Sequence, residues 1–374
     1  MVYRVIGVMS GSSLDGLDIV FAQLDETAGT WTYEMQAAVC YPYPAAWSDQ
    51  LKKATSLSAL DYQLLHSAYG HYIGKQINRF LDEYHLHYKV QLISSHGHTS
   101  FHVPSKKMTA QLGDGAAIAA LTGIHVISDL RAMDVALGGQ GAPIVPIGEK
   151  LLLPGFDFFL NLGGIANLSA HKSGNVEHRG SFVAFDVCPA NRVLNMIAHD
   201  AGKEFDENGA MAASGVVDQE LLDTLNRQEF YRFPFPKSLA NDFGTDVLYP
   251  IVHARGCSTA DALRTFVEHI CVQITHAVFS LLPSGGSKEA GSVFRLLASG
   301  GGAHNRFLVN RLGELLQPHL VELVVPDPLL VDYKEALIMA LIGVLRWREE
   351  SNVLSSVTGA SRDSVGGAVW LGEG

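Results

Sequence analysis

The sequence is short of charge, of cysteine and of long apolar runs, and each shortage closes off a class of protein. Only 17% of the 374 residues are charged against 47% hydrophobic, the balance of a packed globular chain rather than a disordered one. Basic residues are the scarcer sign: 27 Lys and Arg against 38 Asp and Glu leave a formal net charge of −11. Nucleic acid and anionic membrane both call for a basic face, so neither is expected as a partner. An anionic small molecule stays open, because a few local donors and a metal ion can hold a phosphate. The four cysteines (Cys40, Cys188, Cys257, Cys271) are scattered with no CxxC pair and read as reduced thiols of a cytoplasmic protein. The longest apolar run, residues 336–345, is about half a bilayer span. Met1-Val2-Tyr3-Arg4 leads into a strand-like segment without a leader, so a soluble protein is expected.

What is present is one pattern read twice. Strand-like runs at 3–9, 18–24 and 31–40 are followed by a helical stretch at 60–84, with Leu64, Leu65, Tyr69, Ile73, Ile77, Phe80 and Leu81 at helical spacing. A strand at 90–94, a helix at 114–121 and a strand at 125–128 complete the first half. The second half repeats the order: strands at 158–162, 165–170 and 181–186, a helix from Pro189, and a long helix at 259–282. A strand at 294–299, a helix at 304–316, a strand at 321–325 and a helix at 334–348 follow. The pattern predicts an α/β fold of duplicated actin-like (ribonuclease H-like) domains, 1–135 and 136–374, with the last segment packing back on the first. In that plan, shared by actin, hexokinase and the heat-shock ATPases, nucleotide lies in the cleft between the halves. Two unrelated α/β domains would give a similar pattern.

Glycine gathers at strand ends. The first turn reads Gly11-Ser12-Ser13-Leu14-Asp15-Gly16-Leu17-Asp18. Its glycines let the backbone approach a ligand, its N–H groups can form an anion-binding concavity, and Asp15 and Asp18 can hold Mg²⁺. A tight capped hairpin is the plain alternative. Gly163-Gly164 sits at the matching place in the second half, and Gly300-Gly301-Gly302 with Asn305 falls between a strand and a helix. No GxxxxGK[ST] loop exists. Three such turns on the same side of a duplicated sheet argue for a nucleotide more strongly than any one of them.

Asp186 ends a strand shortly before a helix, where α/β proteins place chemistry and where a helix cap is equally at home. His96, His98 and His102 lack any recognised metal-ligand spacing, so a loop of polar substrate contacts is expected there. Arg131 suits a sugar carboxylate or else a surface ion pair with its acidic neighbours Asp129 and Asp134. Glu335 is read at the start of an apolar helix, where the dipole alone would explain an acid.

Together these segments resemble the anhydro-N-acetylmuramic acid kinase family over almost the whole chain: residues 11–18, 95–104, 129–146, 161–168, 186–191, 236–238, 300–305, 334–340 and 357–360. The resemblance implies an ATP- and Mg²⁺-dependent enzyme acting on a small amino sugar. It opens the 1,6-anhydro ring of 1,6-anhydro-N-acetylmuramic acid with water, phosphorylates O6, and gives N-acetylmuramic acid 6-phosphate and ADP. On it, Asp186 matches the aspartate that activates water. Residues Gly11 to Asp18 match the ATP phosphate turn, and Gly300 to Asn305 the nucleoside side. His96, Arg131, Asp134 and Glu335 fall in motifs that line the substrate, and a homodimer is implied. There are departures: Ser12 stands for Thr and His98 for Gln. Asp186-Val187-Cys188-Pro189-Ala190-Asn191 stands for Asp-Thr-Gly-Pro-Gly-Asn. Pro236-Lys237-Ser238-Leu239-Ala240-Asn241-Asp242 stands for Pro-Lys-Ser-Thr-Gly-Arg-Glu. An actin-like kinase of another sugar hydroxyl and a regulatory ATP-binding module are the competing readings. A plain glycoside hydrolase would need paired carboxylates and no nucleotide.

Overall fold

The computed structural model describes residues 1–11, 13–171, 182–235, 237–240, 242–283 and 293–373. Within it the chain divides into two compact units, Met1–Pro154 with Tyr333–Gly374, and Gly155–Asp332.

In the first unit β1 (Val2–Ser10), β2 (Gly16–Thr27) and β3 (Thr30–Pro42) form an antiparallel meander; β4 (Leu92–Ser95) pairs parallel with β1, and β7 (His125–Ser128) parallel with β4. A separate hairpin, β5 (His98–Val103) with β6 (Met108–Leu112), lies between β4 and β7 in sequence. In the second unit β8 (Phe158–Leu162), β9 (Ile165–His171) and β10 (Phe182–Pro189) form the meander, and β11 (Phe294–Ser299) and β12 (Val321–Val324) add parallel strands. The sheet orders are β13-β7-β4-β1-β2-β3, with β13 (Ala368–Trp370) at the edge, and β10-β9-β8-β11-β12. Both therefore run third, second, first, fourth, fifth. That is the ribonuclease H-like arrangement of the actin-like fold, and it removes the alternative of two unrelated domains.

The crossover from third to fourth strand is also built the same way twice. The helix Ala59–Glu83 is capped by Ser58, and the helix Thr259–Leu281 by Ser258; each serine accepts from the backbone N–H of the aspartate three residues on, Asp61 and Asp261. A parallel strand needs such a crossover, and an S-x-x-D start fixes where the helix begins. Each helix then turns its apolar stripe onto its own sheet. Tyr69, Ile73, Ile77 and Phe80 join the core of the first unit, and Phe266, Ile270, Ile274 and Val278 that of the second.

The apolar run at 336–345 is a core helix. It belongs to Pro328–Trp347, which begins six residues before the expected start because Asp327 accepts from Leu330 N–H and Pro328 takes the first helical position. A Cβ on Gly7 of β1 would lie 1.9 Å from the Ala336 carbonyl oxygen, so the helix rests on the sheet at backbone distance. Among the described residues no helix is long and apolar enough to cross a membrane. Stretch 136–154, assigned to the second half on sequence, belongs to the first unit. The reason is packing: a Cβ on Gly148 would meet Ile338 at 2.4 Å, and Lys334 Nζ donates to Glu149 Oε1 at 2.6 Å, with both side chains buried.

A buried ion pair costs little to replace whole and much to break. Lys334→Met is expected to destabilise the protein by about 3–5 kcal/mol, with most of the loss recovered in Lys334→Met combined with Glu149→Gln; urea denaturation of the three proteins measures it.

Candidate functional site

The first turn leaves β1 at Ser10, and a chain of buried hydroxyls stands behind it. Tyr69 donates to Tyr43, Tyr43 donates to Ser10 Oγ at 2.8 Å, and Ser10 Oγ bonds His98 Nδ1 at 3.1 Å. Burial pushes the Tyr43 phenol up to about 12 and the His98 imidazole down, so the chain is neutral at pH 7. Ser12 lies outside the described residues. Gly11 and Gly16 differ in what requires them. A Cβ on Gly16 would strike Cys40 Sγ at 2.5 Å, whereas one on Gly11 would meet nothing nearer than Ser13 Oγ at 3.5 Å. Gly16 and Leu17 already belong to β2 and are buried, as part of the meander rather than of an open loop. Ser13 and Asp15 are exposed and Leu14 and Asp18 half-buried. Leu14 has a φ of 60° and its N–H donates to Gly11 O at 3.3 Å, closing the turn.

The polar loop after β4 is a cradle for Arg131. The guanidinium is buried, yet its partners are neutral: Nε donates to Gly141 O at 2.6 Å, Nη1 to Thr99 Oγ1 at 2.8 Å, and Nη2 faces His102 Nε2 at 3.4 Å. Burial pulls its pKa down to about 10, against the opposing charge of Asp134. The buried position does not suit a surface ion pair, and among the described residues three of the five N–H groups are used. His96 is buried with Nδ1 at 2.9 Å from Gly97 O, which makes Nδ1 the donor and Nε2 the acceptor in the neutral ring. Burial first, then the Arg131 charge, lowers its pKa to about 4. No group of three or more His, Cys, Asp or Glu among the described residues is placed to hold a metal.

Asp134 is turned inward and tied to its own loop. It is 1% exposed, Oδ2 accepts from Gly141 N–H at 2.7 Å and Oδ1 from Thr358 Oγ1 at 2.7 Å. Both oxygens are spent on tying the Gly138–Gly141 stretch to Thr358, so Asp134 positions the loop that supplies Gly141 O to Arg131. Glu335 lies two turns inside its helix and not at its start, so the dipole does not account for it. Burial raises its carboxyl, with Lys334 opposing and Glu149 adding to the rise.

In the second unit Asp186 does not end its strand. β10 continues to Pro189 through a bulge between Asp186 and Cys188, and the following helix Asn191–His199 has Ala190, without a side-chain bond, at its cap position. The capping role is therefore absent. Instead Asp186 Oδ2 accepts from Leu239 N–H at 2.8 Å and from Ser238 Oγ at 3.1 Å. Burial raises the carboxyl, and these two donors hold the rise back. Oδ1 has no hydrogen-bond partner among the described residues. Pro236, Asn241 and Ser181, also read from the sequence, lie outside them.

The glycine turns of this unit meet at Asn191. Ala190 N–H donates to Gly164 O, Asn191 N–H to Gly163 O, and Asn191 Nδ2 to Leu162 O, at 2.9, 3.1 and 2.9 Å. Gly300, at φ +80°, would drive a Cβ to 2.3 Å from Asn161 Oδ1, and Gly302 to 2.7 Å from Leu162 Cβ. Those two are glycine because the Asn161, Leu162 and Asn191 side chains, with the Leu162 carbonyl, close on them. Gly163, Gly164 and Gly301 would meet nothing nearer than 3.5, 3.7 and 3.8 Å. Asn305 caps the helix Arg306–Leu316, its Oδ1 accepting from Leu308 N–H. Sequence reasoning missed Asn191, Thr99, Ser238 and Thr358 as individual contributors. All four sat inside segments already singled out, and nothing in a linear motif says which member turns inward.

The model of the anhydro-N-acetylmuramic acid kinase family matches residues 3–372. Proteins of that name from Vibrio parahaemolyticus serotype O3:K6 (strain RIMD 2210633) and Sulfurovum sp. (strain NBC37-1) are 33% and 32% identical to this chain, over 96% and 98% of it and 95% and 99% of their own lengths. One from Salinibacter ruber (strain DSM 13855 / M31) is 33% identical over 96% of this chain and 93% of its own. With a duplicated ribonuclease H-like fold and a family match running nearly from end to end, the chain belongs to the anhydro-N-acetylmuramic acid kinase family.

Proposed function

We infer that the protein uses ATP to open the 1,6-anhydro ring of 1,6-anhydro-N-acetylmuramic acid with water and to phosphorylate O6, giving N-acetylmuramic acid 6-phosphate and ADP. Family membership supports the reaction, and the state of Asp186 supports its assignment to residues: one carboxylate oxygen is held by two donors and the other has no hydrogen-bond partner among the described residues. Asp186 Oδ1 takes a proton from water as the water oxygen bonds to C1. The C1–O6 bond breaks, and its electron pair on O6 attacks the γ-phosphorus as ADP leaves. A general base at such a carbon is worth typically about 10²–10⁴-fold.

Recognition of the sugar falls to the cradle. The two unused N–H groups of Arg131 suit the muramic acid carboxylate as a charge-assisted pair, and neutral His96 offers Nε2 to a sugar hydroxyl. Glu335 is a further substrate contact, and Asp134 acts through Arg131. Gly11, Gly163, Gly164 and Gly301, which no neighbouring atom requires to be glycine, suit close approach of phosphates and nucleotide to the backbone. Asp15 and Asp18 fit Mg²⁺, which keeps several waters and needs only one or two carboxylates beside the phosphates. When bound, the ion neutralises phosphate charge. Reduced thiols at the four cysteines support a cytoplasmic setting.

The reaction in ¹⁸O-water, with Mg·ATP and the anhydro sugar, is expected to give a 6-phosphate carrying one ¹⁸O at C1 by mass spectrometry. An enzyme-free control corrects for anomeric exchange, and label-free product would favour a kinase acting on an intact hydroxyl. Asp186→Asn is expected to keep ATP binding and lose at least roughly 10²-fold in turnover. Because the base must be ionised and its pKa is raised, kcat/KM should fall with acidity above the usual aspartate value of about 3.9; a pH profile that keeps its acid limb in the Asn variant assigns that limb to another group. For Arg131, 1,6-anhydro-N-acetylglucosamine, which lacks the carboxylate, is expected to bind at least roughly tenfold more weakly, and Arg131→Met should erase most of that difference by competition assay.

A further inference from the structure

A short strap, residues 237–240, runs beside Asp186 and is attached to it three times. Asp186 N–H donates to Lys237 O at 3.0 Å, and Ser238 Oγ and Leu239 N–H both reach Asp186 Oδ2. The strap has its own anchor: Lys237 Nζ donates to Phe230 O at 3.2 Å and lies 4.5 Å over the Phe230 ring. Ser238 is exposed and its hydroxyl has no other partner among the described residues, while the Leu239 side chain is buried and fixes the strap from below.

We propose that Ser238 is a positioning residue for the water-activating carboxylate: its hydroxyl and the Leu239 N–H hold Asp186 Oδ2, so that Oδ1 alone is presented to the water. The proposal rests on Asp186 being the base. A carboxylate free to rotate about its Cβ–Cγ bond would exchange its two oxygens, and each exchange would turn a solvated or strap-bound oxygen toward the reacting water. Two donors on one oxygen end that exchange. They also favour the ionised form, opposing the burial that disfavours it. The groups that bear on this carboxylate are few. Lys237 on the strap turns its ammonium to Phe230, Cys188 across the bulge is a buried thiol whose pKa is pushed up by burial, and neither contributes to the Asp186 shift. Among the described residues, Ser238 and Leu239 are the polar groups that do.

The strap also explains why a serine is wanted where exposure would tolerate almost anything. Backbone N–H donation from Leu239 survives any substitution that keeps the strap in place, so the second donor is the only one a side chain controls. Removing it leaves the carboxylate, among the described residues, with the Leu239 N–H as its donor and a higher affinity for protons.

The test is the pH dependence of kcat/KM for 1,6-anhydro-N-acetylmuramic acid at saturating Mg·ATP, in the wild type, Ser238→Ala, Ser238→Thr and Asp186→Asn. In Ser238→Ala the acid limb is expected to move upward by about half to one pH unit, the loss of one hydrogen bond to a charged group at an exposed position. Turnover at neutral pH should fall roughly tenfold through lost orientation, with the KM for ATP unchanged. Ser238→Thr, which keeps the hydroxyl, should restore both. An unmoved limb in Ser238→Ala, with or without slower turnover, overturns the positioning role while the Asp186→Asn deficit keeps the base. Near-normal turnover in Asp186→Asn overturns both together.

Discussion

Close approach that only glycine permits is the constraint on which both units depend. In the first, the helix Pro328–Trp347 sits on β1 with the Ala336 carbonyl where a Gly7 Cβ would be. In the second, the loop after β11 lies against the β8–β9 turn through Gly300 and Gly302, and Asn191 closes the gap between them. A methyl group at any of these points would push an element off its sheet, and overpacking of that kind typically costs about 1–3 kcal/mol. The strand ends that this packing brings together are also where the candidate phosphate turns lie. Scaffold and site are therefore built from the same residue type for two different reasons.

Polar satisfaction is the second organising rule. Arg131 is a buried cation with neutral partners, Asp134 a buried anion with both oxygens taken, and they communicate through Gly141, whose carbonyl serves one and whose N–H serves the other. The arrangement keeps each charge hydrogen-bonded without pairing the two directly. A direct ion pair would have neutralised the guanidinium; the relay leaves it with N–H groups to offer an incoming anion.

Much of this was legible in the sequence, and the limits have physical causes. Strand-like runs and helical spacing located the strands of both meanders and both long helices, because each element buries a face in its own core. The order of the strands in the sheet was not legible from periodicity, which carries no partner information; it followed from seeing the pattern twice. The helix start at Pro328 was available in Asp327-Pro328 and was overridden by the stronger apolar run behind it. Asp134 and Asn305 were read as ligand contacts because a motif gives a residue's place and not its direction. In the structure one ties two loops together and the other caps a helix. The glycine turns divide in the same way: spacing cannot tell a glycine required by a neighbouring backbone from one with open space above it.

The departures from the family pattern around Asp186 test whether the reaction class survives them. Ala190 stands where the family has glycine, with φ −132° and ψ −108°. Its N–H still donates to Gly164 O. Cys188, in place of the other glycine, points into the core and is fully buried, so the substitution adds packing beneath the strand and leaves the carboxylate's surroundings alone. Leu239 replaces a threonine, but what Asp186 uses is the backbone N–H of that position, which any residue except proline supplies. The one side chain that Asp186 does use from the strap, Ser238, is retained. Among the described residues, the substitutions at Cys188, Ala190 and Leu239 change side chains that Asp186 does not touch and spare the donors it uses, so a drift in sugar preference is compatible with an unchanged setting for this carboxylate.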